Sequence, residues 1–85
     1  MTREEELEAG RAYNRVVDYN IHTNDAELDP TGDRGWARMQ AVCDMLSKKG
    51  SRSYEQHLEH LVSEVLSVSD DIDAHLKRLR MVQFS

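Results

Sequence analysis

Three side chains able to bind a metal recur at helical spacing in the second half of the chain: His57, His60 and Glu64. Separations of three and four residues place all three on one face of a helix with about 3.6 residues per turn. Imidazole and carboxylate groups in such a set can hold zinc. The chain has one cysteine and lacks both a His-Glu-x-x-His run and a Glu-x-x-His pair. The spacing therefore favours a structural role for these residues, with a metal-dependent helical hydrolase as an alternative.

Acidic side chains alternate in the segment 24–33, where Asp25, Glu27 and Asp29 have the spacing of the first three ligands of an EF-hand. A calcium-binding loop of that type needs glycine at its sixth position and a bidentate glutamate at its twelfth. The corresponding residues here are Pro30 and Trp36, so the segment is not an EF-hand. Its proline, glycine and acids predict an irregular acidic loop.

The other candidates for catalysis are two pairs of carboxylates and one thiol. Glu5 with Glu8, and Asp70 with Asp73, have the spacing of acids that bind magnesium in helical nucleotide hydrolases. Acids that favour the first turn of a helix explain both pairs more simply. Cys43 occupies an apolar position and is expected to be a small buried hydrophobic residue. We therefore expect a protein that is not an enzyme and needs no cofactor.

The net charge of −5 hides a basic segment, residues 34–52, which holds five bases and one acid. This segment predicts either charge complementarity within the protein or its oligomer, or a site for a phosphate or nucleotide at the turn 50–53. The second alternative is an oligomeric small-anion sensor or sponge, and its candidate residues are Arg34, Lys48, Lys49, Arg52 and Ser53. Direct binding to DNA is not expected from a chain with this net charge.

Length and hydropathy limit the class of protein further. A chain of 85 residues with one cysteine is expected to form one domain without an internal disulfide, in a reducing compartment. Its N-terminus is acidic and has no apolar run typical of a secretory signal. No apolar stretch approaches the ~20 residues needed to cross a bilayer. We expect a cytoplasmic protein, of a cell or of an infected host, that does not bind membranes.

Apolar residues at three- and four-residue spacing predict an all-α fold with helices over about 3–23, 34–49 and 54–80. The acidic loop separates the first two helices, and residues 81–85 are expected to fray. The apolar spacing continues in phase through the segment 67–71, so the third helix is expected to be continuous.

Capping signals support these boundaries. Thr2 followed by Glu5 predicts a capping box at the start of the first helix, and Ser53 with Gln56 predicts another at the start of the third. Gly50 is the expected end of the second helix, because glycine readily adopts the backbone conformations that terminate helices.

The third predicted helix has apolar residues in nearly four consecutive heptads, a pattern typical of coiled coils. At 1.5 Å per residue it would be about 40 Å long, whereas the second would be about 24 Å. Part of its apolar stripe would therefore lack a partner within the chain. We expect a homo-oligomer, most simply a dimer, formed through Leu58, Leu61, Val65, Val68, Ile72, Leu76 and Leu79.

The first predicted helix separates its polar and apolar residues onto opposite faces. Tryptophan beside arginine, as at the start of the second helix, is common among residues that dominate protein interfaces when it is exposed, although a core position is also expected here. Together these features predict a small acidic interaction module that binds and occludes or regulates a partner protein. A phage-type inhibitor of nucleic-acid or defence machinery is one form of it. The predicted partner-binding residues are Glu4, Glu8, Arg11, Arg15, Asp18, Trp36 and Arg38.

Overall fold

The chain folds into four helices in a computed structural model that describes residues 1–84 and the side chains of residues 1–81. No strand is present among these residues, which confirms the predicted all-α class. Ser85 and the side chains from Val82 onward lie outside the described part, so the fraying of 81–85 stays a prediction. The helices are α1 (Arg3–Ile21), α2 (Asp25–Leu28), α3 (Asp33–Lys49) and α4 (Tyr54–Phe84).

The single turn α2 was not expected, because the segment between the first two predicted helices reads as an irregular loop. Asp18, near the end of α1, explains why it forms. The backbone N–H groups of Asp25 and Ala26 donate to the two carboxylate oxygens of Asp18 at 2.8 Å each. These bonds satisfy two of the donors that the start of a helix leaves without a partner. An acid on α1 thus stabilises the helical turn that follows it.

The predicted capping residues occupy the helix ends. Thr2 Oγ1 accepts from the backbone N–H of Glu5 at 3.2 Å, and Glu5 Oε1 accepts from the backbone N–H of Thr2 at 3.1 Å. Ser53 and Gln56 exchange the same two bonds at 3.2 and 3.0 Å. The N–H of Gly50 donates to the carbonyl of Leu46 and ends α3. Both capping boxes and this helix end are therefore confirmed.

α4 is one continuous helix of 31 residues, about 46 Å long at 1.5 Å per residue. The serines and aspartates of 67–71 do not interrupt it, as the unbroken apolar spacing predicted. α3 has 17 residues, about 26 Å, and the short turn 50–53 joins it to α4. α3 therefore runs beside the first half of α4 only, and the molecule has a long dimension of 50 Å.

The core lies where α1, α3 and α4 meet. Small residues on α1, Ala9 and Ala12, allow the large side chains of Trp36 and Met39 on α3 to approach closely, and Val65 on α4 completes the buried cluster. Burial of such side chains supplies most of the favourable free energy of a domain this small. Five partly buried residues surround the cluster: Tyr13, Leu58, Leu61, Val62 and Leu66.

The apolar stripe predicted as an oligomer interface divides into two parts. Within a single chain α1 and α3 already cover its first part, in which Val65 and Ile72 are buried and Leu58, Leu61 and Val68 are partly buried. Beyond the half of α4 that α3 covers, the stripe emerges into solvent, where Leu76 is 38% and Leu79 48% exposed. Only this second part is available to another molecule.

Candidate functional site

α1 and α3 cross with their backbones in direct contact at three glycines. A Cβ added to Gly10 would lie 2.7 Å from the backbone nitrogen of Trp36 and still closer to the carbonyl oxygen of Gly32. A Cβ on Gly35 would likewise collide with the carbonyl of Gly10. Gly32 also has a φ of 87°, in the left-handed region that glycine adopts without strain. The crossing therefore requires the absence of a side chain on both helices.

A buried carboxylate joins the segment before α3 to this crossing. Asp29, 8% exposed, accepts hydrogen bonds at 2.8 Å from Asn14 Nδ2 on α1 and from the backbone N–H of Gly35 on α3. The Asn14 side chain is fully buried, and its Oδ1 accepts no hydrogen bond. That oxygen faces Gly35, because a Cβ placed there would lie 2.8 Å from it. One acid thus holds α1, the loop and α3 together.

Hydrogen bonding sets the charge state of both structural aspartates. Burial by itself raises the pKa of Asp29, but bonds from Asn14, from the backbone N–H groups of Gly35 and Arg34 and from Thr31 outweigh it and hold the pKa below its ordinary value. The pKa of Asp18 is lowered in the same way, with burial opposed by bonds from a hydroxyl and from the two N–H groups of α2. Both acids are therefore ionised at neutral pH.

A groove of about 440 Å³ lies where α1, α2 and the exposed half of α4 meet. Its apolar walls include Tyr19, which is 46% exposed, and Leu76 on the opposite side. The Arg15 side chain in the groove forms an ion pair with Asp73 across α1 and α4. The groove thus presents apolar surface beside an arginine whose charge Asp73 neutralises and beside the ionised Asp18. It is lined by Arg15, Asp18, Tyr19, Ala26, Ile72 and Leu76.

Most of the predicted partner-binding residues are engaged within the chain. Arg11 donates to the carbonyl of Thr31 at 3.1 Å and pairs with Glu4 at 3.2 Å. Arg38 pairs with Asp25 at 2.6 Å and connects α3 to α2. Asp18 and Arg15 have the internal partners described above. Of the set, Glu8 is exposed and forms no ion pair among the described residues.

Trp36 lies in the core at 5% exposure. The predicted role of Trp36 in a protein interface required an exposed indole ring, and that condition is not met in the folded chain. Its position on the inner face of α3, beside the glycine crossing, explains the burial, because the ring fills the space where α1 presents only alanines.

The bases of the predicted anion site do not converge on one point. Arg34 and Lys48 lie at opposite ends of α3, about 21 Å apart along the helix axis. Lys48 also pairs with Asp44 at 3.3 Å, and Ser53 is occupied in capping α4. Arg52 borders a concave surface that also contains an acid, Glu59. This arrangement does not favour an anion.

The three candidate metal ligands do not converge on one point either. His60 pairs with Glu64 at 3.2 Å, whereas the buried Nε2 of His57 has no hydrogen-bond partner. Among side chains 1–81, no group of three or more histidine, cysteine, aspartate or glutamate residues could hold a metal ion. Cys43 is fully buried in the core, which confirms its expected role as a small hydrophobic residue, and burial raises the pKa of its thiol.

Comparison of the chain with protein-family models, with curated proteins and with solved structures found no match. Among the described residues, none of the helices combines the length and the apolar character that crossing a membrane requires.

Proposed function

We propose that the protein is a small helical interaction module that binds a partner protein through the groove between α1, α2 and α4. The observation that carries this proposal is the exposure of Tyr19 and Leu76 on opposite walls of the groove. The large side chains of the core, by contrast, are buried where α1, α3 and α4 meet. An exposed apolar surface bordered by charged residues is typical of protein interfaces. Tyrosine is also among the residues that most often dominate binding energy.

Charge indicates what kind of partner would fit. The acid that lines the groove is Asp18, which is ionised, and Glu27 is exposed on α2 next to the groove residue Ala26. Arg15 does not offset this charge at the groove, because Asp73 neutralises it. The surface therefore favours a partner segment with an apolar anchor flanked by lysine or arginine. Proteins that bind nucleic acids present such basic surfaces, so an inhibitor of nucleic-acid or defence machinery, including one made by a phage, is the narrower form of the proposal.

The proposal is tested with three forms of the purified protein: wild type, Tyr19→Asp and Met45→Asp. Tyr19 lies in the groove, whereas Met45 is an equally exposed residue on α3, so it supplies a matched control. Each form is used to capture proteins from a lysate of the cells in which the protein is made. A candidate is then purified and its affinity measured by calorimetry at low and high salt.

We expect a basic protein that binds wild type and Met45→Asp equally, binds Tyr19→Asp at least tenfold more weakly, and loses affinity as salt rises. Binding that is unchanged by Tyr19→Asp, or a lysate from which wild type captures nothing that Tyr19→Asp does not, would overturn the proposal. Circular dichroism of each variant shows that the helices are intact.

A further inference from the structure

The exposed end of α4 carries two sets of charges of opposite sign, separated by seven residues. Three acids occupy 70–73 and three bases occupy 77–80, and each base follows an acid by one heptad. Acid and base therefore take the same positions around the helix in successive heptads. The matched pairs are Asp70 with Lys77, Asp71 with Arg78 and Asp73 with Arg80.

One of these pairs borders the apolar stripe. With Ile72 and Leu79 at heptad position a, Asp71 and Arg78 both fall at position g, next to the stripe. Both side chains are exposed, and neither forms an ion pair within the part of the chain that the structure describes. Asp73, by contrast, is held by Arg15 on α1. Asp71 and Arg78 are therefore available to another molecule.

The uncharged e positions decide the orientation in which two such helices could pair. Parallel coiled coils form their salt bridges between g of one helix and e of the other. In the half of α4 that follows residue 68 the e positions are Ser69, Leu76 and Gln83, so parallel pairing of this half offers no charge pair. Antiparallel pairing brings g opposite g, and a two-fold axis near His75 then places Asp71 of each copy opposite Arg78 of the other.

We propose that two copies of the protein associate through this exposed half of α4, with the two helices antiparallel and crossing near His75. Leu79 of each copy packs against the exposed edge of α4 between Asp71 and His75 of the other, next to Ile72, which is already buried within each copy. Charge pairs between Asp71 and Arg78 form twice, once on each side of the axis. The contact involves few residues, so a dimer that forms at micromolar concentration is expected.

Sedimentation equilibrium over a range of concentrations tests the proposal, because the monomer mass is 9.8 kDa and a dimer has twice that mass. The variants are Asp71→Arg, Arg78→Asp and the two combined. Asp70→Arg is the matched control, since it makes the same change of charge one residue away, at position f on the side of α4 opposite the stripe.

We expect each single reversal to weaken dimerisation about tenfold and the combined variant to restore most of it, with Asp70→Arg unchanged. Leu79→Lys is expected to abolish the dimer. The protein should stay folded, because the Leu79 side chain is already half exposed. A wild type that is monomeric throughout, a dimer that tolerates Leu79→Lys, or a combined variant weaker than both single ones would each overturn the proposal. A single reversal that strengthens the dimer would also overturn it.

Discussion

Gly10 on α1 meets the carbonyl group of Gly32 backbone to backbone, so closely that a Cβ on Gly10 would collide with that oxygen. The contact sets the distance between α1 and the start of α3. It also brings Asn14, one turn further along α1, within hydrogen-bond distance of Asp29. The position of the loop before α3 therefore depends on the absence of a single methyl group.

Replacing Gly10 by alanine should destabilise the protein strongly. The methyl group would meet backbone atoms of α3, which cannot rotate away as a side chain can, so we expect a loss of about 3 kcal/mol in the free energy of unfolding. Urea denaturation followed by circular dichroism measures it. Gly50→Ala is the matched control, because the nearest atom would lie at 3.4 Å, and its effect should stay within about 1 kcal/mol. Equal effects at the two positions would contradict the role given to the crossing.

Replacing Asp29 by alanine should cost about 3 kcal/mol in the free energy of unfolding. The change leaves the buried Asn14 Nδ2 and the N–H of Gly35 without the acceptor that each has now. Asp44→Ala removes an acid from an exposed pair with Lys48 and should change stability by about 0.5 kcal/mol or less. Melting temperatures of the two variants provide the measurement. If Asp29→Ala lowers the melting temperature no more than Asp44→Ala does, the network contributes little to stability.

Acid should destabilise the protein through Asp18 and Asp29. Their pKa values in the folded chain lie below the ordinary value of 3.8, so the folded state binds these protons less readily than the unfolded state. The stabilisation is fully present above about pH 4 and is lost as the pH falls through the lower folded values. Melting temperatures should therefore decline steeply below about pH 4.

Asp18→Asn isolates one contribution to that decline. The amide oxygen can still accept a bond from the start of α2 but does not titrate, so the variant should lose less stability than wild type between neutral pH and about pH 3. Melting curves of the two proteins side by side give the difference. If the melting temperatures of the two proteins fall equally with pH, Asp18 has the same pKa in the folded and the unfolded state.

Cys43 should be inert toward thiol reagents while the protein is folded. Its side chain is fully buried and burial raises the pKa of the thiol, so both access and the fraction of thiolate are reduced. Labelling followed by mass spectrometry should remain slow in buffer and become fast across the same urea range in which helical signal is lost. Rapid labelling of the native protein would place the thiol at the surface.

The sequence predicts the helices of this protein better than it predicts the contacts between them. Capping signals at Thr2 and Ser53 and the regular apolar spacing of α4 are local, and each was confirmed at its position. Local signals act over one or two turns, where the geometry of a helix is already known.

The Asn14–Asp29 network was not predictable in this way. Its members are 15 residues apart, and hydropathy assigns both to solvent although both are buried. Arg15 and Asp18 were likewise expected on a free polar face but bind α4 and α2. Periodicity reports which side of a helix avoids water, and it carries no information about which distant polar group an arginine or aspartate meets. Two glycines three residues apart, Gly32 and Gly35, were the one local sign of a close crossing.

The glycine crossing also provides a means of recognising relatives of this protein. A methyl group on any of the three glycines cannot be accommodated by changes in neighbouring side chains, and Asn14 and Asp29 are buried hydrogen-bond partners, so these five positions can vary little while the fold is kept. Other positions on α1, α3 and α4 can be substituted more freely, provided that apolar positions remain apolar and polar positions remain polar. A search should therefore look for the spacing rather than for overall identity, namely for a glycine and an asparagine four residues apart, followed by an aspartate and two glycines: Gly10, Asn14, Asp29, Gly32 and Gly35.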